Sequence, residues 1–98
     1  MDGRSYWCSE YQTQIVSGLI ETDETISFDI NCVEGWRYTV SLKIGVGGVC
    51  LGSVTYINPP SYKFDVQARL YTSSGGQRIL SGAWTEDNEK YKWIVELN

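Results

Sequence analysis

The stretch Trp36-Arg37-Tyr38-Thr39-Val40-Ser41-Leu42-Lys43-Ile44 decides the fold class. Successive side chains of an extended chain point to opposite faces, so Trp36, Tyr38, Val40, Leu42 and Ile44 share one side. Arg37, Thr39, Ser41 and Lys43 share the other, giving one apolar and one solvated face. Just upstream, Ile26, Phe28 and Ile30 alternate in the same way with Ser27, Asp29 and Asn31. Glu34-Gly35 lies between the two runs, and Gly35 can supply the positive φ of a tight reversal. Segments 25–33 and 36–44 therefore read as an antiparallel hairpin.

Period-2 alternation continues in both directions, and no segment reads as a helix. Upstream, residues 6–10 and 12–20 form two further strands, followed by the acidic turn Glu21-Thr22-Asp23-Glu24. Downstream, Gly45-Val46-Gly47-Gly48 reverses the chain into a strand over 49–57, which Asn58-Pro59-Pro60-Ser61 ends because proline cannot donate to a ladder. Phe64, Val66, Ala68 and Leu70 mark the half-buried strand 62–71. Ser73-Ser74-Gly75-Gly76 turns into 78–84, a polar loop follows over 85–90, and Trp93, Val95 and Leu97 mark the last strand, 91–97. Strands every ten residues or so fit a β-sandwich or a small barrel.

Composition narrows the function classes. The 98 residues suffice for one domain, 1–98, with a single core. Hydrophobic residues are 42 % and charged residues 20 %, enough apolar content to fold. The net charge of −4 argues against nucleic-acid binding, which needs surplus Lys and Arg. No apolar run reaches the ~20 residues of a membrane helix. The absence of histidine removes His-dependent triads and most zinc sites. Glu21, Asp23 and Glu24, and likewise Glu86, Asp87 and Glu89, lack the spacing that wraps oxygens around Ca²⁺, and they read as solvated turns. No catalytic residue, metal or cofactor is expected. The chain opens Met-Asp-Gly-Arg without an apolar leader behind it, and we expect Met1 to stand where a removed leader ended.

Aromatic residues are 13 % of the chain. Alternation assigns Trp36, Tyr38, Trp84 and Trp93 to the core, where large rings stabilise a small domain. Tyr6, Trp7, Tyr11, Tyr62 and Tyr91 are left either as a binding patch for sugars or protein, or as ordinary half-exposed residues. Of the cysteines Cys8, Cys32 and Cys50, two can pair. A Cys8–Cys50 bridge would close a loop of about forty residues, stabilising by ~4 kcal/mol in the chain-entropy model. The alternative is that both are small buried apolar residues.

Cys8 in strand one, a second strand ending Gly18-Leu19-Ile20, the hairpin 25–33/36–44 and Cys50 opening strand five resemble the MAX effectors, the avirulence and ToxB-like secreted proteins of plant-pathogenic fungi. Ile79-Leu80-Ser81-Gly82-Ala83-Trp84 adds a Leu-Ser-Gly echo, with Ala83 where some members carry an acid. The likeness covers residues 6–57, while 58–98 diverge. It implies an all-β fold: a small antiparallel sandwich of about six core strands, here with one or two additional C-terminal strands. It implies a Cys8–Cys50 disulfide, with Cys32 free. It also implies a secreted virulence effector, able to enter host cells and not an enzyme, that binds host plant proteins such as heavy-metal-associated domains. Binding would pair an exposed sheet edge with the partner's edge strand. Strands two and three are the candidate edges, with Thr13, Gln14, Ser17, Ser27, Asp29 and Asn31 facing the partner, and the protein is expected to be a monomer. The second function class left open is a secreted inhibitor or carbohydrate-binding module that uses exposed aromatics.

Overall fold

A computed structural model describes residues 2–7, 13–31, 37–57 and 63–98. Eight strands run in chain order: β1 (Gly3–Trp7), β2 (Thr13–Glu21), β3 (Thr25–Asn31), β4 (Arg37–Ile44), β5 (Val49–Tyr56), β6 (Lys63–Thr72), β7 (Arg78–Glu86) and β8 (Glu89–Leu97). Each pairs antiparallel with the next, and β1 pairs with β8, so the sheet closes into a barrel. The expected hairpin is present: Phe28 faces Val40 and Ile30 faces Tyr38 across β3 and β4.

The eight-stranded, all-antiparallel count agrees with six core strands plus two, but the sandwich does not form. Strand one begins at Gly3, not at residue 6, and Gly3–Trp7 register with Leu97–Trp93. Asn98 N–H donates to the Asp2 carbonyl at 2.9 Å, which locks the two chain ends together. Closure follows from what the inward faces carry. An eight-stranded barrel is just wide enough for its own side chains to fill, and here two indoles fill it. Trp84 and Trp93 are fully buried and meet edge to face at 6.1 Å, and Phe28 lies 6.2 Å from Trp93. The inward row Cys50, Ala68, Gly82, Trp93 sets three small residues beside one large ring, so the interior is occupied without swelling the wall. At Gly82 a Cβ would overlap the Gln67 carbonyl oxygen, and at Gly52 that of Ser41. Both glycines therefore permit close backbone approach where the sheet bends round.

The expected polar loop over 85–90 is largely strand: β7 and β8 continue to Glu86 and Glu89 around Asp87-Asn88, with φ of 52° and 65°. Two residues at positive φ make the type I′ turn that suits the twist of a hairpin. In β2, a bulge between Ser17 and Ile20, with Gly18 at φ 63°, reverses which residues point inward. Asp2 Oδ2 accepts the Leu19 N–H at 3.0 Å and so satisfies the bulged backbone.

Candidate functional site

The barrel has two ends and a continuous wall. At the end reached by Tyr56, Glu86 and Glu89, Tyr38, Tyr56, Phe64 and Trp84 pack ring against ring. Tyr38 and Tyr56 lie 4.6 Å apart, and Tyr38 meets Trp84 edge to face at 5.2 Å. Tyr56 donates its hydroxyl to Glu86 Oε1 at 3.3 Å. Burial pushes the Glu86 carboxyl above its ordinary range, the Tyr56 hydrogen bond opposes this, and the neighbouring Asp87 charge adds to it. Tyr91 donates to Glu89 Oε2 at 2.8 Å, and that bond, followed by the Glu89 charge, holds the phenol proton more tightly than usual. At the opposite end, Arg78 pairs with Glu21 and also donates to the Asn98 carbonyl.

The residues expected to face a partner are divided by the structure. β2 and β3 are each hydrogen-bonded on both sides, so neither is an edge. A closed barrel abolishes edges, and edge pairing by these strands is overturned. Gln14 points inward and is buried, because Gln14 and Val16 share the inner face ahead of the bulge. The residues that face outward near it are Ile15, 49 % exposed, and Ile20, 66 % exposed. Ser17, Asp29 and Asn31 do lie on the outer wall, tied sideways to one another: Asn31 donates to Ser17 at 2.8 Å, Arg37 to Asn31 at 2.9 Å, and Thr39 to Asp29 at 2.9 Å. Ser27 lines an open depression on the β3–β5 wall. Thr13 opens β2, and its side chain lies outside the described residues.

Cys50 is a free, fully buried thiol whose Sγ–H donates to the Gly48 carbonyl at 3.5 Å. Burial raises its pKa, and a backbone hydrogen bond at Leu70 partly offsets this. No Cys8–Cys50 bridge is formed at Cys50. The Cys50 side chain serves instead as a small buried group in the inward row it shares with Ala68, Gly82 and Trp93. Cys8 and Cys32 lie outside the described residues, as do Tyr11, Trp36 and Tyr62. Among the described residues, no group of three or more acidic or Cys side chains is placed to hold a metal.

The surface that sequence reasoning missed is the outer wall of β4–β8. Leu51, 57 % exposed, stands on β5 between two open depressions. One, of about 280 Å³, is lined by Leu51, Asp65, Gln67, Ala83, Thr85 and Lys90. It continues over Ser81 and Ala83 towards Val49, 38 % exposed, in a depression of about 300 Å³. The hollows arise because past Ile79 the outward residues of β7 are the small Ser81, Ala83 and Thr85, between longer neighbours on β6 and β8. The signal was the outward phase of 49–57, where Val49 and Leu51 occupy positions that alternation reserves for polar residues. Comparison with protein-family models, with curated proteins and with solved structures finds no significant match to this chain.

Proposed function

We propose that the protein is a non-catalytic binding domain that engages a protein partner through the outer wall of β4–β8. The observation that carries this is Leu51 with Val49: large apolar side chains held out in water beside shallow hollows, on a wall whose own packing needs neither. A filled, closed barrel makes a rigid platform, so little ordering entropy is lost when such a wall is covered. The reading keeps the mode of action implied by the resemblance to MAX effectors, protein binding by a secreted protein with a host plant partner, and moves it from a sheet edge to a sheet face.

A second reading, as a carbohydrate-binding module, is favoured by Tyr38 and Tyr56 beside the Glu86 carboxylate, the ring-plus-acceptor chemistry that sugars use. The test separates the two. Affinity capture from plant extract is run with the native protein, with Leu51→Asp, and with Ile15→Asp as an exposed control on β2. A partner retained by the native protein and the control but lost with Leu51→Asp supports the first reading. Equal capture by all three refutes it, and glycan-array binding lost in Tyr56→Ala favours the second.

A further inference from the structure

We propose that the occupant of this wall is an acidic, extended polypeptide segment carrying apolar side chains. This rests on the protein-binding reading above and names the chemistry of the partner. The chain carries a net charge of −4, yet its charges are segregated. Of its eight basic residues, six are exposed on the outer wall of β4–β8: Lys43, Lys63, Arg69, Lys90 and Lys92, and Arg37, which pairs with Asp29 at 3.7 Å. Inside that ring the outward carboxylate is Asp65, with Glu96 at the far border accepting the Tyr6 hydroxyl at 3.5 Å. The acidic residues Glu21, Asp23 and Glu24 sit at one end of the barrel, and Glu86, Asp87 and Glu89 at the other.

The register shows how the two kinds of group alternate. One outward row runs Lys43, Leu51, Gln67, Ala83, Lys92 across five strands. At about 4.8 Å between strands, it spans roughly 19 Å along the wall, the length of about six extended residues. The parallel row Ser53, Asp65, Thr85, Lys90 and the row Val49, Arg69, Ser81, Ile94 flank it. Lysines bound the central row at both ends, Lys90 closes the second and Arg69 stands inside the third, with Leu51, Ala83, Val49 and Ile94 among them. Phosphate polymers would meet the cations but gain nothing from Leu51, Val49 and Ala83, whereas a segment of alternating carboxylates and aliphatic side chains matches both. Exposed complementary charges set register and association rate more than affinity, which the apolar centre supplies.

The experiment is an amide chemical-shift titration of the isotope-labelled protein with three probes. They are a twelve-residue peptide alternating Glu with Val and Leu, its counterpart with every Glu replaced by Lys, and a heparin oligosaccharide. We expect the acidic peptide alone to shift Leu51, Gln67 and Ala83, with affinity falling about tenfold in Lys43→Glu/Lys92→Glu, whose dispersed spectrum reports an intact barrel. No shift at these amides, or an equal response to the Lys-containing peptide, overturns the proposed chemistry. An equal response to heparin makes the wall a general polyanion surface and overturns it too. If capture of a protein partner still depends on Leu51 while the acidic peptide fails, only the partner chemistry falls. If capture is indifferent to Leu51, the protein-binding reading itself falls.

Discussion

Replacing Ser5 by alanine removes a single hydroxyl and should cost far more than its size suggests. Ser5 is fully buried on β1 and accepts the Trp93 Nε1–H at 2.8 Å, a bond that joins the first strand to the last across 88 positions of sequence. Indole N–H can only donate, and Trp93 is fully buried, so the variant leaves this donor without its acceptor. An orphaned buried donor costs ~1–3 kcal/mol, whereas a bond lost together with both of its partners costs much less. For a domain near 100 residues each kcal/mol lowers Tm by about 4–8 °C, so a fall of roughly 4–24 °C is expected. Calorimetry and urea titration of Ser5→Ala, Trp93→Phe and the double variant form a cycle. Trp93→Phe pays its own cavity term but has no N–H left to orphan, so adding Ser5→Ala to it should cost little, giving a coupling of about 1–2 kcal/mol. If Ser5→Ala shifts Tm by less than 2 °C, or costs the same in both backgrounds, the bond does not hold the barrel closed and the reasoning is wrong.

Two further outcomes follow from buried titratable groups. The Glu86 carboxyl is raised by burial, so the folded state holds its proton more tightly than the unfolded chain does. Its contribution to stability is then fully present below the ordinary carboxyl pKa of 4.5 and is lost as pH rises through the folded value. Glu86→Gln should therefore raise Tm relative to native protein at pH 7 and lose that advantage at pH 3.5; a constant difference between variant and native protein across this range would remove burial of the ionised form as the cause. The Cys50 thiol is buried with its pKa raised, so iodoacetamide should leave it unmodified in the native protein and alkylate it quantitatively in denaturant without any reductant. Peptide mass spectrometry that finds Cys50 disulfide-bonded to Cys8 would contradict the free thiol.

How much was legible can be followed residue by residue. Ile26, Phe28 and Ile30 against Leu42, Val40 and Tyr38 make their hairpin legible because period-2 alternation is a local property, written within ten residues. Trp84 and Trp93 were assignable to the core for the same reason. Gln14 reads as outward only by its polarity, since it neighbours Thr13 and shares the phase of the buried Val16; what the bulge reverses is the phase beyond Ser17, where Ile20 turns outward and Gly18 is the one local trace. The hairpin tip over 85–90 reads as loop because Thr85, Glu86, Asp87, Asn88, Glu89 and Lys90 are all polar and show no apolar alternation, while the ladder continues to Glu86 and Glu89.

The amino-acid order by itself determined that the chain is all-β, where most strands run and which rings are buried, since each depends on neighbours two residues apart. Whether the first strand meets the last depends on contacts between residues about ninety positions apart, such as Ser5 with Trp93, which no local period encodes. That closure removed the free edges and gathered Lys43, Leu51, Arg69, Ala83 and Lys92 from five different strands onto one wall. The candidate site is a product of tertiary register: its members share no spacing in sequence and become neighbours only because eight strands pair in order around two indoles.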